Sequence, residues 1–160
     1  MDITVRKALA ADYHDAVRIM DQVQELHVMW RPDIYRPANE LLSPEAFRDA
    51  LAADSFYVCE VDGTIAGVMG VSFRHIETPS HVTRDVLFID SMGVDERYRG
   101  MGVGHAMLDA AKETAVLKKC QGVELQVNSK NRRAYEMYSK YGFSEKSINM
   151  ELTDWASERK

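Results

Sequence analysis

The stretch "RGMGVG", Arg99 to Gly104, sets three glycines at alternate positions directly after the charged run "DERY". Glycine costs a helix about 0.8–1.0 kcal/mol relative to alanine, yet the "HAMLDAAKETAVLKK" that follows reads as a good helix. Upstream, "DVLFIDSMGV" reads as an apolar strand ending at Val94, and the helix is expected to open at about Gly102. A glycine segment between strand and helix is either a loop that lets the backbone bend or a cradle for an anion. The first four N–H groups of a helix lack internal partners, and the helix dipole adds about half a positive charge there. Bare glycines leave those groups open to a pyrophosphate, and Arg97 and Arg99 can add charge-assisted contacts. A simple bend explains one or two glycines but not the alternation, so the anion reading is favoured.

Known nucleotide loops do not account for the segment. A Walker A loop needs G-x-x-x-x-G-K-[ST], but His105 follows Gly104 and no Lys-Ser/Thr pair appears. The dinucleotide fingerprint needs G-x-G-x-x-G, whereas Gly100, Gly102 and Gly104 give G-x-G-x-G.

Along the chain, "ITVRKA" alternates as a strand, and Asp12 can cap a helix through "YHDAVRIMDQVQELHVMW". Ser43-Pro44 is a good N-cap and N1 pair for a second helix to about Ala52. "SFYVCEVDGTIAGVMGVSFRH" reads as two strands joined at Asp62-Gly63, a favoured type I′ turn. After the glycine segment and its helix come a strand in "GVELQV", a helix in "NRRAYEMYSKY" and a final strand in "FSEKSINMEL". The order β-α-α-β-β-β-α-β-α-β implies one α/β domain over residues 1–160, a mixed sheet flanked by about four helices. The end, from about 153 to 160, reads as a loose tail.

The 46% hydrophobic and 28% charged composition is that of an ordinary globular chain. A net charge of −5 disfavours general nucleic-acid binding. No apolar run approaches the ~18 residues of a membrane span, and the N-terminus lacks a signal-peptide pattern, so a cytoplasmic protein is expected. Cys59 and Cys120 have no metal-type spacing and read as buried, reduced thiols.

In "NSKNRRAYEMYSKYGF", Asn131, Ala134, Tyr135 and Tyr138 share one helix face, and Gly142 is expected to end the helix as its C′ residue before Phe143. On its own, Tyr138 reads as an amphipathic core residue. Together the two segments resemble the GNAT superfamily of N-acetyltransferases. "VDERYRGMGVGHAML" is similar to its motif A, R/Q-x-x-G-x-G/A, at Arg99, Gly102 and Gly104, and "NRRAYEMYSKYGF" to its N-x-x-A-x-x-x-Y-x-x-x-G-F segment. The two lie in the expected order with one helix and one strand between them.

The resemblance implies a mostly antiparallel sheet of six to seven strands, splayed between the fourth and fifth, with acetyl-CoA in the gap and no metal. It assigns the pantetheine arm to the backbone of Met92, Gly93 and Val94. The pyrophosphate falls to Arg99, Gly100, Met101, Gly102, Val103 and Gly104, and Asn131 contacts the pantetheine region. Tyr138 takes the family's acid position, protonating the departing CoA sulfur. Asp90 is the one ionisable side chain in "VLFIDSMGV". It serves as a base for the amine or orients it by charge, and both roles stay open; Glu124 is a second candidate.

The acceptor is expected to be a small amine, amino acid, polyamine or protein amino group, with His27, Trp30, Arg31 and Tyr35 as a wall of its site. "HVMWRPD" resembles an H-x-x-x-R-P-D segment of some bacterial GNAT proteins, which fixes no substrate. Locally, Arg31 and Asp33 can instead pair with each other while Trp30 packs. His75 and His81 read as surface residues flanking a loop. Dimers are common among such proteins, so a homodimer fits the resemblance. The alternative function is an acyl-CoA-binding regulatory module without turnover.

Overall fold

The computed structural model describes residues 1–153 and Trp155, so most of the expected tail, Asp154 and residues 156–160, lies outside the described residues. The chain divides into two compact units, Met1–Gln126 and Val127–Lys160. The first holds β1 (Ile3–Lys7), α1 (Tyr13–Trp30), α2 (Pro44–Ala52), β2 (Phe56–Val61), β3 (Thr64–Ile76), β4 (Arg84–Val94), α3 (Val103–Leu117) and β5 (Gly122–Leu125). The second holds α4 (Arg132–Tyr141).

The sheet of the first unit runs β1-β2-β3-β4-β5. The first three pairings are antiparallel and β4–β5 is parallel. A parallel neighbour requires a long crossover, which α3 supplies. Ala16 and Ile19 of α1 and Phe47 of α2 form one buried cluster with Phe56, Val58, Ile65 and Val68 of the sheet. Strand side chains alternate between faces, so Gly67, beside Val68, points the other way, where a Cβ would meet Val103 and Met107 of α3. The sheet is therefore packed between α1–α2 on one face and α3 on the other.

Local signals placed these elements well. The Ser43 hydroxyl accepts from the Ala46 N–H at 3.1 Å, with Pro44 opening α2. Asp62 and Gly63 both carry positive φ, 50° and 82°, as a type I′ turn requires.

Three expectations need correction. Asp12 precedes α1 but makes no side-chain cap to it. Its carboxylate is held instead by both Nη atoms of Arg6, at 2.8 and 3.0 Å, and by the Leu9 N–H at 2.7 Å. A bidentate charged partner outcompetes a neutral N–H. The sheet has five strands among the described residues, not six to seven. Residues 143–152 join no ladder, and Ile148, Met150 and Leu152 are exposed. Alternation suits a strand, but only hydrogen-bonded neighbours make one. Finally, Cys59 is buried but Cys120 only half-buried, and both are free thiols. Desolvation pushes the Cys59 thiol up to about 11.

Candidate active site

The parallel pairing of β4 and β5 starts at Val86↔Gly122 and stops at Ile89↔Leu125. β4 continues to Val94, paired with β3 alone: Ser91↔Gly70, Met92↔Met69, Gly93↔Val68 and Val94↔Gly67. Beyond Ile89, backbone groups that point away from β3 meet no further strand among the described residues. β5 ends at Leu125, so the outer edge of β4 beyond Ile89 is open among the described residues, and Met92 and Gly93 lie on that open edge. The Val94 carbonyl is partly engaged, accepting from Arg99 Nε at 3.3 Å. Gly93 has a second reason to lack a side chain. A Cβ there would lie 2.7 Å from Val23 Cγ2 of α1, so α1 packs directly on this strand.

The open edge begins at a β-bulge. Gly70 pairs with Ser91 and Val71 with Ile89, leaving Asp90 as the extra residue of β4. A bulge re-aims side chains, and here both Asp90 and Ser91 face the α1–α2 side. Ser91 Oγ is 2.8 Å from where a Gly70 Cβ would sit, next to the Phe56 ring. Asp90 Oδ1 accepts from Ser72 Oγ at 3.2 Å and from Arg74 Nη2 at 3.5 Å. The Arg74 guanidinium stacks on the Phe88 ring, 3.6 Å from its centroid. Ser72 and Arg74 were missed in the sequence. Their same-face spacing is visible in "VSFRH", but the register that brings them to Asp90 is not.

After β4 the chain is anchored by Asp95, which is fully buried. Its carboxylate takes the Arg97 N–H at 3.0 Å, Arg97 Nε at 3.2 Å, Arg97 Nη2 at 2.8 Å, and Arg18 Nη1 of α1. The Arg97 guanidinium, assisted by Arg18, holds this carboxyl well below the usual carboxylate range. Arg97 is thus committed to Asp95, which corrects its expected part in binding an anion. The only advance signal was the "DER" that caps a 3-10 turn at Glu96–Tyr98.

Gly100 and Gly102 have φ of 80° and 93°, a region costly for residues with a Cβ. Gly102 is the N-cap of α3 and supplies no side-chain hydrogen bond. The first intrahelical bond runs from the Ala106 N–H to the Gly102 carbonyl at 3.0 Å. Val103 and Gly104 form the first turn and are buried, whereas Gly100 and Met101 are exposed. No acidic residue occupies this first turn, so its positive potential is left for an incoming anion.

In the second unit, Asn131 is the N-cap of α4, and its Oδ1 accepts from the Ala134 N–H at 3.2 Å. Gly142 closes the helix at φ 126°. Tyr138 is half-buried with its ring edge-on to Phe143, centroids 5.8 Å apart. Desolvation pushes its hydroxyl pKa up. The Tyr135 hydroxyl donates to Glu145 Oε1 at 2.9 Å.

Of the residues expected on the acceptor side, His27, Trp30 and Tyr35 do gather at the end of α1. The His27 ring lies 5.6 Å from Trp30 and 4.8 Å from Tyr35 by centroid, and its Nδ1–H donates to the Val23 carbonyl at 2.9 Å. Arg31 instead forms a two-pronged pair with Asp33 at 2.9 and 2.8 Å. Glu124, the second candidate base, is held by Arg84 Nη2 at 2.8 Å. His75 sits between Asp85 and Glu77 at 2.7 and 3.1 Å. His81 Nδ1 contacts the Thr78 and Ser80 hydroxyls at 2.6 and 3.1 Å. Among the described residues, no group of three or more His, Cys, Asp or Glu side chains is arranged to hold a metal ion, and no helix is long and apolar enough to cross a membrane.

The open edge of β4 thus runs by way of a short turn into a helix opened by glycines. The family model described as "Acetyltransferase (GNAT) family" matches residues 20–143, and the chain belongs to that family. An uncharacterized N-acetyltransferase of Methanocaldococcus jannaschii is 36% identical over 95 residues, 59% of this chain and 41% of that protein. The chain spans about two fifths of the length of the first curated relatives it matches. A crystal structure of a mutant Bacillus halodurans protein superposes with a TM-score of 0.86 at 28% identity, covering 94% of this chain and 98% of that one. An aminoglycoside N-acetyltransferase in complex with CoA shares the fold, at TM-score 0.71 and 16% identity, covering 95% of this chain and 94% of that one.

Proposed function

We propose that this chain transfers an acetyl group from acetyl-CoA to an amine, with amine and thioester held together for direct attack. The observation that carries this reading is the open β4 edge leading into the bare N-terminus of α3. That stretch fits the ligand: unpaired strand backbone suits the amides of a pantetheine arm, and uncapped helix N–H groups suit a pyrophosphate. The backbone of Met92 and Gly93, with Val94 at the end, receives the arm as an added strand. Gly100, Met101, Gly102, Val103 and Gly104 present their backbone to the pyrophosphate, with Arg99 beside them. Asn131, whose oxygen is occupied as a cap, offers its amide N–H groups to the pantetheine region.

A lysine-like amine, pKa ~10.4, is almost wholly protonated at neutral pH and must shed a proton before it attacks. Asp90 receives that ammonium. Its exposed position on the bulge, with Ser72 holding one oxygen, leaves the carboxylate able to orient the amine. Tyr138 delivers a proton to the departing sulfur; its raised pKa keeps the hydroxyl protonated through neutral pH. Positioning contributes a large share of the rate in such a complex, and a strand N–H near the thioester carbonyl gains strength as oxyanion charge develops.

The test is a broad amine panel with acetyl-CoA, read by free-thiol release and mass spectrometry. Acetylated products support the enzyme, whereas acetyl-CoA binding with no product from any amine supports the regulatory module. Within an active enzyme, Tyr138→Phe is expected to lower kcat about 10²-fold while leaving acetyl-CoA affinity within a factor of two. Unchanged turnover removes Tyr138 from the mechanism.

A further inference from the structure

The polar surroundings of Asp90 say more about the acceptor than its carboxylate alone. Arg74 is half-exposed, as is Asp90. Its hydrogen bond to Asp90 Oδ1 is long at 3.5 Å, yet its plane is held by the Phe88 ring at 3.6 Å. A guanidinium carries five N–H donors in a rigid fork whose natural partner is a planar carboxylate bound through two of them. Stacking on an aromatic face orients that fork without consuming its donors. The bulge therefore displays a negative group and a pre-oriented positive one side by side on the face turned toward α1 and α2.

We infer that the Asp90–Arg74 pair is a receptor for a zwitterion, so that the acceptor is a free α-amino acid whose ammonium meets Asp90 while its carboxylate meets Arg74. The inference rests on the acetyltransferase reading above and narrows its acceptor. Geometry favours it: the ammonium nitrogen and carboxylate oxygens of an α-amino acid are about 3 Å apart, and the nearest atoms of the protein pair, Arg74 Nη2 and Asp90 Oδ1, are 3.5 Å apart. The zwitterion lies against the pair with its charges reversed. A polyamine has nothing to offer Arg74 and meets a repulsive cation instead, which is discrimination by an unfavourable contact. In the transfer itself the amine, having given one proton to water, forms the new N–C bond to the acetyl carbonyl carbon. The C–S bond breaks, the sulfur takes a proton from the Tyr138 hydroxyl and leaves as the CoA thiol, and the second proton shed by nitrogen passes to water, from which Tyr138 is reprotonated with one net proton released. Arg74 touches only the carboxylate and acts as a specificity residue.

The experiment compares each common L-amino acid with its carboxamide, which keeps shape and amine but removes the negative charge. Polyamines and the pair ethanolamine and phosphoethanolamine complete the set. The native chain is expected to acetylate at least one free amino acid with kcat/KM at least tenfold above its amide. Arg74→Gln is expected to shrink that preference at least tenfold, mostly through KM, and Arg74→Lys to restore part of it. Acetyl-CoA affinity and Tm serve as folding checks. Equal use of acid and amide, an equal loss on both in Arg74→Gln, or a preference for phosphoethanolamine or polyamines overturns the inference while leaving the acetyltransferase intact. No product from any amine overturns the acetyltransferase reading itself.

Discussion

Two carboxylates near the end of one strand, Asp90 and Asp95, occupy opposite environments. Asp95 is fully buried and closed in by Arg97 and Arg18. Asp90 stands on a bulge, half-exposed, with one serine and one half-exposed arginine beside it. A buried carboxylate saturated by partners has no capacity left for a ligand and serves to fix the backbone. An exposed one with spare lone pairs is available for chemistry. The same contrast appears at two helix starts. Ser43 caps α2 from within, whereas Gly102 leaves the first turn of α3 without a side-chain cap.

Removing the buried member should have the largest effect on stability. Asp95→Ala is expected to lower unfolding free energy by about 3 kcal/mol, the low end for breaking a buried pair. The guanidiniums left behind are 37% and 63% exposed and can turn to water. Denaturant titration at pH 7 measures it, and a loss under 1 kcal/mol would reduce Asp95 to a bystander. The sign with pH is fixed. The folded pKa is depressed, so the contribution is complete above the unfolded value of about 3.9 and disappears as pH falls through the folded value. The gap between native and variant should therefore narrow below pH 4.

Asp90→Asn should invert that pattern, lowering kcat/KM by about 10²–10⁴-fold with less than about 1 kcal/mol of stability lost. A pH–rate profile sharpens the role: movement of its limb marks a base, and a lower rate with the profile in place marks orientation. If rate and profile both stay as in the native chain, Asp90 has no part in catalysis.

Between the helix starts, Gly102→Ala is expected to cost about 1–2 kcal/mol, because alanine is strained at a φ of 93°. It should also weaken acetyl-CoA binding, measured by calorimetry. Ser43→Ala should cost only about 1 kcal/mol and leave that affinity untouched. Equal effects of the two variants on binding would erase the distinction between a capped helix and a ligand-receiving one.

Much of the first unit was legible in the chain because the rules that place it are local. Period-2 and period-3.6 patterns set the element order through α4. Asp62-Gly63 specified its turn, Ser43-Pro44 its helix start, and the glycines the opening of α3 within one residue. Asp90 drew notice from the chain alone, as the one ionisable side chain in an apolar run. The readings that failed turned on which partner a side chain or segment finds in three dimensions, even where that partner is near in sequence: Arg6 is six residues from Asp12 and Asp95 two from Arg97. Asp12 met Arg6, Arg97 was claimed by Asp95, and the alternating segment after Gly142 found no strand to join.

By itself, then, the sequence determined where backbone could be straight, coiled or bare, since propensity and steric freedom act within a few residues. Only the tertiary structure decided the register of β3 against β4. That register created the bulge, turned Asp90 and Ser91 to one face, and set Ser72 and Arg74 beside the carboxylate. It is a long-range choice, governed by how the sheet packs against α1 and α3, and it converts an acid in a strand into one half of a charged pair.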